Sequence, residues 1–304
     1  MTNLPALVVI EGTNASGKSG LAVELAARFD GEIVSADSRQ VFRGLDLGSG
    51  KIAPEEMKGV PHHLLDVAQP GEFFSMHDFQ RLAYAAIEDI RGRGKTPFLA
   101  GGTGLYVASI TEGYVMSDRT PDLDYRAHLE TFATPQLCDM LRAARPDIDI
   151  DWNNRNRVMR VLEKLHDGDD FAAKSEPRYD CLKLGVTWER SVLRDRIDQR
   201  LERRVKAGMI DEVKGLLDSG VSVEFLIKLG LEYRFITQYL TGEIKSENEM
   251  LELLATAIKQ FAKRQMIWFR RDKAIHWLDM TADPVAEASA LIGAFLAEHG
   301  EAGT

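Results

Sequence analysis

A chain of 304 residues, 44% hydrophobic and 28% charged, carries enough apolar material for one large or two modest globular domains, which excludes a disordered chain and a mini-protein scaffold. Its 47 acidic and 38 basic residues leave a formal net charge of -9, so any polyanionic partner must be met at local basic patches. The two cysteines, Cys138 and Cys181, lack metal-ligand spacing, which excludes a disulfide framework and a zinc site and points to a reducing, cytoplasmic setting.

Ala6-Leu7-Val8-Val9-Ile10 is an unbroken apolar run that leads into a glycine-rich turn, and a helical pattern follows from Gly17 to Phe29. With no cationic segment before it, the run predicts a buried strand and not a secretory signal. Glu32-Ile33-Val34-Ser35 and Thr96-Pro97-Phe98-Leu99-Ala100 predict further strands, separated by an amphipathic helix from Ser75 to Arg93. Strands alternating with helices imply a parallel sheet. After Gly113 the strand signal fades and helices are predicted at Asp122–Phe132 and Arg155–His166. The stretch 117–180 therefore reads as a mostly helical insertion between core segments 1–116 and 181–304. Leu182-Lys183-Leu184-Gly185-Val186 should rejoin the sheet. A long helix is predicted at Glu247–Arg271, with Leu251, Leu254, Ile258, Phe261 and Trp268 on one face. A last strand at Ala274–Leu278 and a helix at Pro284–Glu298 complete the pattern, and no stretch is apolar enough to span a membrane.

Gly12-Thr13-Asn14-Ala15-Ser16-Gly17-Lys18-Ser19 matches the P-loop pattern between a predicted strand and a predicted helix, the context in which backbone N–H groups cradle phosphate. The fold class is thus α/β, a P-loop NTPase-like parallel sheet flanked by helices. In such a loop Lys18 neutralises phosphate charge and Ser19 offers its hydroxyl to Mg²⁺. Asp37 follows the second strand, at the sheet end where ligands bind in open α/β folds. Its residue type suits a metal-shell ligand, a general base, or a cap on a helix starting near Ser38.

The P-loop is followed in order by Asp37-Ser38-Arg39-Gln40-Val41-Phe42-Arg43-Gly44-Leu45-Asp46-Leu47-Gly48, Pro61-His62-His63-Leu64-Leu65-Asp66-Val67 and Gly101-Gly102-Thr103-Gly104-Leu105-Tyr106. Arg157-Val158-Met159-Arg160-Val161-Leu162-Glu163 and Ala262-Lys263-Arg264-Gln265-Met266-Ile267-Trp268-Phe269-Arg270 come later. This series resembles the tRNA dimethylallyltransferase (isopentenyl-tRNA transferase) family from Leu7 to about Asp279. The resemblance implies transfer of a dimethylallyl group from dimethylallyl diphosphate, with Mg²⁺, to the exocyclic amine of the adenosine just 3′ of a tRNA anticodon. The P-loop, Gly12 to Ser19, would then hold the diphosphate, with Lys18 on the leaving group and Ser19 on the metal. Asp37 would be the general base. Ser38, Arg39 and Gln40 would line the tRNA side, and Thr103 would touch the target nucleotide or the diphosphate unless it merely caps a helix.

By the same resemblance the insertion grips the anticodon stem-loop through Arg126, Arg157 and Arg160, and Lys263, Arg264, Gln265 and Arg270 contact tRNA. A monomer is the default expectation. Some residues depart from the family pattern. Glu11 stands where an apolar residue is usual, Thr13-Asn14 where Pro-Thr is usual, and Asn153-Asn154 where Asn-Asp is common. The insertion looks short, and Gly168–Pro177 is poorly patterned. A Gly-Tyr-Arg or Gly-Tyr-Lys segment with a basic residue for the diphosphate reads here Lys228-Leu229-Gly230-Leu231-Glu232-Tyr233-Arg234, leaving Arg234 or Lys228 as substitutes. Basic charge gathers at Arg155–Lys164, Arg178–Lys206 and Lys259–Lys273, with net charges of +3, +4 and +5. Three other readings share parts of this pattern: an adenylate isopentenyltransferase acting on free AMP, ADP or ATP, a P-loop small-molecule kinase, and an RNA-binding protein with a relic P-loop.

Overall fold

The computed structural model describes residues 4–116, 122–168 and 175–300. The described chain divides into two compact units, residues 1–113 with 177–304 and residues 114–176.

The first unit opens with β1 (Ala6–Gly12), α1 (Lys18–Arg28), β2 (Gly31–Ala36), β3 (His62–His63), α2 (Met76–Gly92), β4 (Thr96–Gly101) and α3 (Gly104–Thr111). The second unit holds α4 (Leu123–Glu130), α5 (Thr134–Ala144) and α6 (Arg155–Asp167). The first unit then resumes with β5 (Asp180–Thr187), α7 (Arg190–Lys206), α8 (Met209–Asp218), α9 (Val223–Leu229), α10 (Leu231–Leu240), α11 (Glu247–Phe269), β6 (His276–Asp279) and α12 (Pro284–Glu298).

The strands form one sheet in the order β3-β2-β4-β1-β5-β6, parallel at every pairing. The unbroken apolar run of β1 is explained by its place at the centre, because both of its faces are covered. Ala6, Val8 and Ile10 pack with α1 and α12, while Leu7 and Val9 pack with α2 and α3. A third core joins α7 to α11 with Val41, Phe42 and Leu45 from the segment after β2.

The expected strands and helices are present, and one strand was not foreseen. β3 is only two residues long, pairing His62 with Ile33 and His63 with Val34, too short for any alternation to mark it. The long helix also differs in detail. Its buried stripe is Met250, Leu254, Ile258, Ala262, Gln265 and Phe269, with Leu251 and Phe261 only partly buried. Trp268 is exposed and lies over Gly104, where a Cβ would strike its indole. Helical spacing groups Trp268 with the apolar face, yet this side chain covers the start of α3.

The second unit has its own core of Leu129, Leu137, Cys138, Leu141, Val158, Met159 and Leu162. Tyr125 stacks on His166 with ring centroids 3.8 Å apart, and Asn154 caps α6 by accepting the Arg157 N–H at 3.1 Å. Tyr114 and Ser175 form an antiparallel bridge. Residues 169–174 of the Gly168–Pro177 stretch lie outside the described residues.

Candidate functional site

The strand order puts the C-terminal ends of β2, β4 and β1 side by side, and each is followed by a segment that the sequence singled out. After β1 the chain turns through the phosphate loop. Gly12 closes against Val186, where a Cβ would come within 2.5 Å, and Gly17 takes φ 91° just before α1. Both places need glycine, one for close approach and one for left-handed backbone. The Ala15 carbonyl accepts from Arg196 Nε at 3.0 Å and the Ser16 carbonyl from Trp188 Nε1 at 2.7 Å. Arg196 in turn stacks on Trp188 at 4.3 Å. With these carbonyls tied back, the N–H groups that open α1 are left for an anion, as at other helix N-termini. Thr13 and Ser16 are buried, and Ser16 Oγ has no protein partner. Lys18 is half-buried, and desolvation of its ammonium pulls it from 10.5 down to about 8 against the opposing pull of Asp37.

Asp37 follows β2, but no helix starts there. Residues 38–41 form turns, and Asp37 Oδ1 accepts the Arg39 N–H at 3.0 Å. The capping reading fails because the carboxylate closes a local turn while Oδ2 lies 3.5 Å from Gln40 Nε2. The capping reading of Thr103 fails as well. It precedes α3 without a side-chain cap bond, and its Oγ1 instead accepts the Ser38 N–H at 3.1 Å. Thr103 thus joins the end of β4 to the turn that carries Asp37. Lys18, Ser19, Asp37, Gln40 and His62 line one cleft whose remaining walls include Ala22, Ile33, Ile52 and Ala100. The His62 ring is held by the Val60 carbonyl through Nδ1 at 2.9 Å.

Of the two candidates near Gly230, Arg234 brings its Nη2 within 3.8 Å of where a Gly230 Cβ would stand, whereas Lys228 turns away. Lys228 pairs with Glu224 one turn back at 2.9 Å, and Arg234 is exposed over the Phe235 ring. The cations beside the phosphate loop come from α7, where Arg196, Arg200 and Arg204 repeat every fourth residue on one face. Arg200 lines a second pocket with Asn14 and Ala15, and burial lowers its guanidinium to about 10, with Arg204 adding to the effect. The basic stretch Arg178–Lys206 therefore turns three of its arginines toward the loop, while Arg178, Arg190, Arg194, Arg203 and Lys206 stay exposed. The i, i+4, i+8 spacing was the available signal for this, and net charge alone hid it.

A family model described as IPP transferase matches residues 40–272. The chain belongs to the IPP transferase family. A protein named tRNA dimethylallyltransferase 2 from Syntrophotalea carbinolica is 45% identical over 288 residues, covering 92% of this chain and 96% of that one. A tRNA dimethylallyltransferase from Streptococcus pneumoniae is 43% identical over 267 residues, covering 87% of this chain and 89% of its own. Among solved structures, the tRNA isopentenylpyrophosphate transferase of Bacillus halodurans aligns with a TM-score of 0.75 at 37% identity, over 98% of this chain and 99% of that one. A eukaryotic dimethylallyltransferase described as acting on tRNA aligns with a TM-score of 0.79 at 25% identity, over 97% of this chain and 80% of the other.

In this IPP transferase two residues expected on the tRNA side are placed elsewhere. Arg39 is buried and bonds Glu232 at 2.8 Å; burial works against its charge, but Glu232 and then Asp37 outweigh it and raise its pKa. Gln265 is buried in α11, accepting the Asn14 N–H at 2.9 Å and donating to the Gly102 carbonyl at 2.8 Å. Both ends of its carboxamide are engaged, so it braces the phosphate loop against the Gly101-Gly102-Thr103 turn. Gln265→Leu should leave two polar groups unpaired and lower unfolding free energy by roughly 1–3 kcal/mol in urea melts. Ser38 and Gln40 are half-buried beside Asp37, while Lys263, Arg264 and Arg270 are exposed on or just after α11. In the helical unit Arg160 meets buried Glu163 at 3.0 Å and Arg126 approaches it at 3.6 Å, while Arg157 is exposed. Glu11 is buried on β1 with Oε1 unpartnered; burial lifts its carboxyl to about 7, against the pull of Lys183.

Among the described residues no group of three or more His, Cys, Asp or Glu side chains is arranged to hold a metal. The donor set fits Mg²⁺ nonetheless, since that ion binds through one or two protein oxygens and completes its shell with substrate phosphate and water. The Ser19 hydroxyl, facing the same cleft as Lys18, is such a donor. No helix of the described residues is long and apolar enough to cross a membrane.

Proposed function

We propose that this protein transfers a dimethylallyl group from dimethylallyl diphosphate to the N6 amine of the adenosine 3′ of a tRNA anticodon, releasing diphosphate. The observation that carries the reading is that a phosphate loop and an aspartate open on one cleft, so a leaving-group cradle and a proton acceptor face each other. The adenine nitrogen attacks the allylic carbon as the C–O bond breaks, and the bonding pair departs with the diphosphate. Lys18, the loop N–H groups and Arg200 take up the charge that grows on that oxygen. Mg²⁺, held in part by Ser19, neutralises diphosphate charge when bound. Asp37 receives the proton that the amine loses, its Oδ1 oriented by the Arg39 N–H. Thr103 and Ser38 fix the turn on which Asp37 stands, and Gln40 bonds its second oxygen.

The adenosine reaches this cleft flipped out of the anticodon loop, where unstacking costs little. The helical unit contributes Arg126, Arg157 and Arg160 to the loop, and Lys263, Arg264 and Arg270 reach tRNA phosphates from α11. The enzyme acts as a cytoplasmic monomer. Arg157→Ala is expected to weaken binding equally across tRNA sequences and to reduce the salt slope by about one. An unchanged slope in filter binding assigns Arg157 to solvent.

The deciding experiment supplies labelled dimethylallyl diphosphate and Mg²⁺ with an unmodified tRNA bearing adenosine at that position or, in parallel, free AMP. Label in tRNA is expected. Label in AMP alone makes the protein an adenylate isopentenyltransferase, and label in neither removes the prenyl-transfer reading.

A further inference from the structure

The segment Asp46–Lys51 belongs to no strand or helix, yet its backbone is held from two sides by charged side chains. Glu212 on α8 accepts the N–H groups of Asp46, Leu47 and Gly48 at 3.1, 2.6 and 2.9 Å, and the Tyr233 hydroxyl at 3.1 Å. Arg204 on α7 donates to the carbonyls of Leu47 and Gly48 and is itself fixed by Glu232 at 2.9 Å. Gly48 lies so close to the Tyr233 ring that no Cβ fits.

The far end of the segment faces the site. The Gly50 carbonyl accepts from Arg200 Nη2 at 3.2 Å and from Gln40 Nε2 at 3.4 Å. Arg200 adjoins the Asn14–Ala15 part of the phosphate loop, and Gln40 bonds Asp37. One carbonyl thus orients a cation on the phosphate side and an amide on the carboxylate side. A charged clamp on three successive N–H groups fixes where that carbonyl sits, because moving the segment breaks several charge-assisted bonds at once.

We propose that Asp46–Lys51 is a positioning strap whose register Glu212 sets, and that through the Gly50 carbonyl it holds Arg200 in place for a diphosphate. Glu212 touches no substrate and is a positioning residue. The proposal rests on the phosphate loop being a diphosphate cradle, as in the function proposed above.

The test is calorimetric titration of inorganic diphosphate with Mg²⁺ into wild type, E212Q, R200M and the double variant, with urea melts alongside. Glu212→Gln preserves size and one accepting oxygen while removing the charge. Diphosphate Kd is expected to rise about tenfold in E212Q and at least as much in R200M. The double variant should bind no more weakly than R200M, since one effect acts through the other. Unchanged affinity in folded E212Q, losses that multiply in the double variant, or a wild type that does not bind diphosphate would each overturn the strap. Should E212Q fail to fold, Tyr233→Phe removes one bond to Glu212 and keeps the core packing. Its expected loss is about threefold, absent in the R200M background, and a loss that persists there counts against the proposal. A wild type that binds diphosphate but transfers no prenyl group refutes the proposed reaction and leaves the strap standing.

Discussion

Asp37→Asn is expected to slow prenyl transfer to tRNA by roughly 10²–10⁴-fold while tRNA binding stays within about twofold of wild type. Asparagine is the informative replacement because its side-chain oxygen can still accept the Arg39 N–H, so the turn at residues 38–41 is preserved. What disappears is the capacity to take a proton. An adenine amine is barely basic, and as its nitrogen bonds to carbon the attached hydrogens become strongly acidic, so the acceptor matters in the transition state and little before it. Single-turnover rates with saturating tRNA, together with gel-shift affinities, separate the two. Near-normal turnover would remove Asp37 from the role of base and leave it a turn-forming residue.

Lys18→Met should lower kcat/KM for dimethylallyl diphosphate by roughly 10²–10³-fold, the scale seen when one charge-stabilising donor is lost from an enclosed site. A proton signature accompanies it. Desolvation holds the Lys18 ammonium near 8 in the folded protein, below its usual 10.5. A lysine lowered in this way opposes folding fully below about pH 8, where it is charged in both states, and the opposition fades as pH rises toward 10.5. Ligand-free stability therefore gains across that window. A diphosphate beside the ammonium favours the charged form, so binding near pH 8.5 should draw in a proton, which roughly doubles as a test of contact. Calorimetry in two buffers of different ionisation enthalpy reads it: uptake in wild type, none in the methionine variant. Absence of uptake in wild type would place Lys18 away from the ligand.

Much of the sheet was legible in sequence because its central strands are apolar along their whole length and its first turn carries glycines where the backbone demands them. The cleft was half legible. Lys18, Ser19, Asp37 and Thr103 stand at strand ends, where order along the chain translates directly into position around a parallel sheet. Arg39 and Gln265 lie within recognisable motifs, yet their roles depended on what faces them. One meets Glu232 and the other bridges two turns that are far apart in sequence. Arg196, Arg200 and Arg204 share one helix face by their spacing, but what that face meets was hidden for the same reason. A window of net charge cannot say whether guanidinium groups face water or a loop on the other side of the chain. Lys228 shows the converse, since proximity to a familiar segment gave it a candidate role while its side chain pairs with Glu224 one turn back.

The bridge between Tyr114 and Ser175 bears on how the chain folds. β5 lies beside β1 at the middle of the sheet, although the whole helical unit separates them in sequence. If that stretch were unstructured, pairing the two strands would require closing a long loop, at an entropic cost that grows with the logarithm of its length. Because the unit has a core of its own and joins its two ends at the bridge, it presents β5 to the sheet as though after a short turn. A helical unit that forms before the sheet closes would take its own residues out of that path, leaving β5 to follow α3 at short range.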